Sequence, residues 1–266
     1  MARAILRTFS DDRVGQVDLE LAPAGVLLVI AFGDPYGVGL GDQPLVSAAH
    51  GFVVGPQSRH GRSALVGTAE GVQVDLPWSV AATIFGSEMT DLADRAVGFP
   101  ELSGGAELAD RLPETEVRDR RRLVADWLHA RTESHDAPTP LGVRALQRIE
   151  EGVPSVGALA AELGCSRGHL HRVVRSWTGQ SPSTLLRVSR LHHLVALSGT
   201  ERSPRSLADA AMLLGYADHP HLCHETRQLA GRTPTQLLGR DIDASDADPG
   251  DLTTSQRVAA VLGSRA

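Results

Sequence analysis

With 266 residues, 42% of them apolar, the chain is long enough for two domains that each have a core. A formal charge of -6 is not that of a bulk nucleic-acid binder. No apolar run reaches transmembrane length, and Met1-Ala2-Arg3-Ala4 leads into no leader-like segment. Two cysteines, Cys165 and Cys223, are too few for a disulfide scaffold, so a reduced, cytoplasmic setting with no membrane partner is expected.

From about Val14 to Leu76 the apolar residues fall in short runs at strand spacing: 26–32, 51–54, 64–66 and 72–76. Asp34-Pro35, Gly55-Pro56, Gly67 and Gly71 punctuate them, which predicts a small barrel or sandwich. The texture then changes, and helices are predicted over 78–85, 89–97, 106–112 and 114–131, with Pro113 opening the last. Arg118, Arg120, Arg121 and Arg122 alternate with acidic residues and read as a solvated helix face. Trp78, Phe85, Trp127 and Trp177 read as core rather than as a ligand platform. His50 and His60 lack the paired spacing of a metal-binding β domain and read as ordinary core or surface histidines. Residues 133–140, with two prolines, read as a linker.

Beyond the linker the chain repeats itself. Leu159-Ala160-Ala161-Glu162-Leu163-Gly164 is echoed by Ala210-Ala211-Met212-Leu213-Leu214-Gly215, after which Leu170 matches Leu222, Gly179 matches Gly231 and Pro182 matches Pro234. The offset is 51 as far as the glycine and 52 beyond it, so the second turn is one residue longer. In the first unit Ser155 caps a helix with Val156, Leu159, Ala160 and Leu163 on one face, and Gly164 ends it. Ser166 caps the next helix, in which Leu170, Val173, Val174 and Trp177 recur at i, i+3, i+4 and i+7. Arg167, His171, Arg172 and Arg175 occupy its other side. A short helix, a glycine turn and a second helix with an apolar back and a basic front make a helix-turn-helix.

In the second unit Ser206 and Asp209 are placed for a capping box, Gly215 turns the chain, and Asp218 caps a helix whose outward residues are His219, Cys223, His224 and Arg227. Arg172 has His224 as its counterpart, so the second helix brings less fixed positive charge. Between the units, 183–197 reads as one helix that separates them. Residues 151–240 hold ten arginines against six acidic residues, a basic head on an acidic remainder. The tail over 241–251 is acidic, and 253–262 reads as a short helix.

These residues resemble the DNA-binding domain of the arabinose-operon regulator (AraC/XylS) family of bacterial transcription factors. The resemblance rests on Ala160-Ala161-Glu162-Leu163-Gly164 through Arg172, on Arg190-Leu191, and on Gly215-Tyr216-Ala217-Asp218-His219-Pro220-His221-Leu222 ending in Gly231-Arg232-Thr233-Pro234. It covers about residues 141–240. It implies two recognition helices in adjacent major grooves, with base contacts from Gly168, His171 and Arg172 in the first and from His219, Cys223 and His224 in the second. Gly168 stands where a larger contact residue is usual, and Thr226 where a core aromatic is usual. The β-then-α order of residues 1–132 is similar to the sensor half of actinobacterial members, which implies a role in binding an effector or a partner.

The expected fold is α+β: a small N-terminal β domain followed by helices over 1–132, the linker, and an all-α domain over 141–240 with two helix-turn-helix units. The expected function is sequence-specific regulation of transcription through double-stranded DNA, with no cofactor. RNA polymerase, a small-molecule effector and a second copy of the chain are the candidate further partners. Three alternatives are set against it. A metal or redox response would use His219, His221, Cys223 and His224, but their spacing matches no standard closed site. An enzyme would need a nucleophile elbow, phosphate loop or metal-protease motif, and none appears. A pure adaptor would leave the duplicated unit without a use.

Overall fold

A computed structural model of the chain describes residues 3–12, 15, 17–133, 138–197, 204 and 206–238. Among these, the N-terminal strands are β1 (Ile5–Asp11), β2 (Val17–Glu20), β3 (Gly25–Gly33), β4 (Tyr36–Leu40), β5 (Val46–Ala48), β6 (Gly51–Val54), β7 (Gly61–Leu65) and β8 (Ala69–Pro77). Helices α1 (Trp78–Phe85) and α2 (Glu88–Asp91) follow, then β9 (Ala96–Gly98), a 3-10 turn at Phe99–Glu101, α3 (Gly105–Arg111) and α4 (Val117–Thr132). The named strands pair antiparallel, in a five-stranded sheet ordered β1-β8-β3-β6-β9 and a four-stranded sheet ordered β2-β7-β4-β5.

The five-stranded sheet is covered on both faces, which is why β3 (GVLLVIAFG) is apolar along its whole length rather than alternating. Val26, Leu28 and Ile30 join the core shared with the helices, whereas Val29 and Ala31, with Leu27 beside them, face the second sheet. β6 divides the same way, Val53 toward the helices and Phe52 and Val54 toward the second sheet. β8 sends Val72, Val74 and Leu76 to the helices but places Gln73 and Asp75 on the other side, lateral to Val29 and Leu27. Between the sheets Tyr36 meets Phe52 edge-on, with ring centroids 5.6 Å apart.

Some expectations are corrected here. Residues 89–97 are not one helix: α2 stops at Asp91, Asp94 turns the chain at φ 53, and β9 pairs with β6 (Phe52↔Gly98, Val53↔Val97, Val54↔Ala96). Val97 is buried through that pairing, and its burial outweighs the helical spacing of Met89 and Leu92. Pro113 does not open α4, which begins at Val117 after a turn. Arg120 is buried rather than solvated, donating to Glu70 and lying over the Phe32 ring at 4.7 Å, while Arg118, Arg121 and Arg122 stay exposed. Strands β1, β2, β4, β5 and β9 fall in none of the expected runs. β5 pairs locally with β4, and partners far along the chain supply the order of the others.

The C-terminal helices are α5 (Pro140–Glu151), α6 (Val156–Glu162), α7 (Arg167–Thr178), α8 (Pro182–Leu197), α9 (Leu207–Leu213), α10 (His219–Ala230) and α11 (Pro234–Leu237). The apolar core does not stop at the junction, because Trp78, Ala81 and Phe85 of α1 and Ala145, Leu146 and Ile149 of α5 belong to one continuous cluster. A polar contact also crosses it. Helix α1 begins after Pro77 with no side-chain cap of its own. Glu150 of α5 accepts instead from the Ser79 backbone N–H at 2.7 Å and from the Ser79 hydroxyl at 2.9 Å. Burial raises the Glu150 carboxyl above its ordinary value, and the Ser79 bonds oppose that shift only in part. The expected acidic tail over 241–251 and the helix over 253–262 lie outside the described residues.

Candidate nucleic-acid interface

Both repeat units fold from the same local chemistry. Ser155 caps α6 by accepting from the Ala158 N–H, and Ser166 caps α7 by accepting from the His169 N–H at 3.2 Å. Gly164 takes φ +64 in the turn and Gly179 takes φ +67 at the end of α7. In the second unit Ser206 accepts from the Asp209 N–H and Asp218 from the His221 N–H, with Gly215 at φ +72 and Gly231 at φ +67. Only the Ser206 half of the expected capping box is formed. The reciprocal box appears at Thr233 and Gln236, where α11 begins.

Helix α7 buries Leu170, Val174 and Thr178 and leaves Arg167, Gly168, His171, Arg172 and Arg175 exposed. At 100° per residue the line opposite the buried stripe runs through Gly168, Arg172 and Arg175, with His171 to one side, while Arg167 lies in line with Leu170 and Val174 and is exposed because it opens the helix. Among the described residues nothing lies within 4 Å of where a Gly168 side chain would begin, so the backbone here is open to its surroundings. Helix α10 buries Leu222, Glu225, Thr226, Leu229 and Ala230. Its outward line passes through Pro220, His224 and Arg227, with Cys223 to one side as His171 is in the first, while His219, like Arg167, opens the helix above the buried stripe. His219, His224 and Arg227 are exposed and Cys223 is half-buried. The nine residues singled out in the sequence thus form two matching surfaces, with two arginines on the outward line of α7 and one on that of α10.

Sequence reasoning missed what seats α10. Glu225 is buried at the interface with α8, where its Oε1 accepts from Arg187 Nε at 2.7 Å and lies 3.1 Å from His221 Nε2. Arg187 Nη2 also donates to Gln228 Oε1 at 2.5 Å. His221 stacks edge-on to Tyr216, whose hydroxyl is pushed well above its ordinary value by burial and by the nearby Glu225 charge. Thr226, in the place of an aromatic, returns its hydroxyl to the Leu222 carbonyl at 2.8 Å and is fully buried. Cys223 Sγ lies 3.1 Å from His219 Nε2. Among the described residues no group of three or more His, Cys, Asp or Glu side chains is placed to hold a metal ion.

The N-terminal half touches the ends of both outward helices. Gly179 packs so tightly on α2 that an added Cβ would lie 2.4 Å from the Ala93 Cβ, and at Gly231 it would meet the His60 ring at 3.0 Å. Gln180 Nε2 donates to Asp94 Oδ2 at 2.8 Å and to the Pro56 carbonyl at 3.2 Å, while Asp94 Oδ1 takes the Ser58 N–H. For the second unit, the Ala22 N–H donates to the Leu229 carbonyl at 2.8 Å and the His60 N–H to the Gln228 carbonyl at 2.9 Å. His192 of α8 donates to the Ala22 carbonyl at 2.8 Å, and its burial holds the imidazole below its ordinary value and therefore neutral at pH 7. A cavity of about 260 Å³ opens between the two sheets. Its wall includes Leu21, Pro23, Gln57 and Gly61, in the segments that make these contacts.

Residues 159–240 match the family described as a helix-turn-helix domain. No curated protein sequence matches the chain. Among solved structures, unsaturated-fatty-acid-bound ToxT from Vibrio cholerae strain SCE256 is similar over 92% of this chain and 98% of that one, at 11% identity and a TM-score of 0.50. The C-terminal domain of AraT, a response regulator from Geobacillus stearothermophilus, is similar at 21% identity over 44% of this chain and 98% of that one, with a TM-score of 0.35. The AraC-like transcriptional activator CuxR is similar at 15% identity over 74% of this chain and 78% of that one, with a TM-score of 0.34. The likeness to ToxT is one of fold, β sheets followed by a helical C-terminal half. No helix among the described residues is long and apolar enough to cross a membrane.

Proposed function

We propose that the chain is a DNA-binding transcription regulator of the arabinose-operon type, in which α7 and α10 read adjacent major-groove segments under an effector's control; the match of residues 159–240 to a helix-turn-helix domain supports this. The observation that carries this is the pair of equivalent exposed surfaces, Gly168-Arg172-Arg175 and Pro220-His224-Arg227, each on the second helix of a capped unit. Arginine fits the two acceptors of guanine in the major groove, so Arg172 is assigned to base reading, with His171 beside it. Arg167, Arg175 and Arg227 are assigned mainly to phosphates, which set register rather than sequence. His219, Cys223 and His224 are the contacts of the weaker second head. The reading domain is taken as 141–240 and the effector domain as 1–132.

Selection of random double-stranded DNA on the purified chain tests the reading. The expected product is a motif with two half-sites about 34 Å apart, one helical turn. A single half-site would leave α10 without a base-reading role, and binding without enrichment would remove the sequence-specific reading altogether. On the selected site Arg172→Ala is expected to weaken binding by about 1–3 kcal/mol and to relax the preference at one base position. Equal weakening on random DNA would reassign Arg172 to phosphate.

Control by an effector is supported by the cavity between the sheets, because its wall is continuous with the segments that hold Gln228, Leu229 and Gln180. Val38 lines the cavity, so Val38→Trp fills it in place of a ligand. A several-fold change in affinity for the selected DNA is expected. Unchanged affinity in a folded Val38→Trp variant would separate the cavity from DNA reading.

A further inference from the structure

The cavity's chemistry is more specific than its shape. Four charged side chains reach its wall, Arg7 and Arg62 against Asp11 and Glu20, so the lining carries no net charge. Each of the four already has a protein partner. Arg7 Nη2 donates to Asp75 at 3.1 Å and Arg62 Nη1 to the Gln43 carbonyl at 3.4 Å, while Glu20 accepts from the Ser63 hydroxyl at 2.8 Å and Asp11 from the Tyr36 hydroxyl at 3.4 Å. A charged ligand entering here would lose its hydration and find no uncompensated opposite charge.

Two side chains of the wall keep buried polar atoms without a hydrogen-bond partner among the described residues: Arg7 at its Nε alone, its guanidinium already paired with Asp75, and Gln57, 1% exposed, at both its Nε2 donor and its Oε1 acceptor. Leaving both ends of a buried amide unmade is costly, and such a group in a folded protein calls for an explanation. The wall also holds an apolar stretch: across the sheet the register sets Val29 beside Phe52 and Leu27 beside Val54, and Tyr36 closes on Phe52 from the second sheet. The volume equals that of about nine waters at their liquid density, room for a molecule of about a dozen non-hydrogen atoms.

We propose that this cavity is the binding site of an uncharged, largely apolar small molecule carrying a donor and an acceptor side by side, as in a carboxamide or lactam, which pairs with the Gln57 amide. The inference rests on the effector reading and names its ligand class. The ligand's apolar body lies against Leu27, Val29 and Phe52. Gln57 follows directly on Pro56, whose carbonyl receives Gln180 at the end of α7, so the polar anchor of the ligand sits one residue from a contact of the first reading head.

The test uses the full chain and three probes of matched shape: 4-phenylbutanamide, 4-phenylbutanoate and 4-phenylbutylamine. Titration calorimetry is expected to show the amide binding at least about tenfold more tightly than either ion. Gln57→Leu, which removes two unpaired polar atoms at nearly constant volume, is expected to stay folded and to lose that preference. Tighter binding of the carboxylate or the amine, or an unchanged preference in a folded Gln57→Leu variant, would overturn the ligand class. It would leave the effector reading to the DNA affinity of Val38→Trp. Absence of binding by all three probes would also overturn the proposal, and the Val38→Trp result would then show whether the effector reading falls with it.

Discussion

Arg187→Ala is expected to cost about 3 kcal/mol of unfolding free energy, near the lower end of what removing one partner of a buried ion pair costs. Glu225 is 4% exposed, and among the described residues its Oε2 has no partner. Its Oε1 depends on Arg187 and on His221. Without the guanidinium, the carboxylate keeps only an imidazole that is charged only when protonated. The loss is felt where α10 docks on α8, so the second reading head should be displaced as well as destabilised. Urea unfolding with an unchanged slope measures the first effect. DNA selection measures the second, with the half-site proposed for α10 weakening more than the one proposed for α7. A control separates charge from packing: adding Glu225→Leu to Arg187→Met should recover most of the loss, because an apolar pair avoids the desolvation that the ions suffer. A loss below about 1 kcal/mol for Arg187→Ala would put this pair with ordinary exposed ion pairs and refute its role as the seat of α10.

Glu150→Ala is expected to cost about 2–3 kcal/mol, through a different mechanism. The substitution removes the acceptor of the Ser79 N–H and hydroxyl and strips the N-terminus of α1 of the one group that caps it. Ser79 is buried, so water does not replace the lost bonds freely. Glu150→Gln keeps one carbonyl acceptor and avoids burying a charge, and it should stay within about 1 kcal/mol of the parent at pH 7.

The two proteins should differ in pH dependence. Burial raises the Glu150 carboxyl in the folded state, so the folded chain holds its proton to a higher pH than the unfolded chain does. The associated stability is fully present below the unfolded value of about 4.3 and is lost as pH rises through the higher folded value. Stability of the parent relative to Glu150→Gln should therefore fall as pH rises from the ordinary carboxylate range. A relative stability that rises with pH there would show that the Ser79 bonds, not burial, govern this carboxyl.

The two tests also probe how the molecule is joined. Glu150 ties α5 to α1 across the junction, whereas Arg187 works within the helical half. The N-terminal half closes on Gly179 and on Gly231, which are equivalent positions of the repeat. A body that grips both outward helices at the same point is suited to setting their relative placement. A change in that grip would alter the spacing between two half-sites before it altered the contacts within either one.

What the chain determined locally was legible from its order of residues. Ser155, Ser166, Ser206 and Asp218 each cap a helix through the N–H three residues on, and Gly164, Gly179, Gly215 and Gly231 all adopt positive φ. Such interactions close within one turn, so their participants are neighbours in sequence, and a duplicated pattern of them identifies itself. The exposed residues of α7 and α10 follow from the same periodicity. What the tertiary structure alone decided involves partners far apart. Residues 96–98 became a strand because β6, more than forty residues earlier, offered an open edge. Arg120 went inside because Phe32 and Glu70 waited there, and Glu225 because Arg187 did. Gln57 belongs to the same class. Its amide is polar in any sequence, and only the tertiary structure buries it in the wall of a cavity with both of its ends unpaired among the described residues.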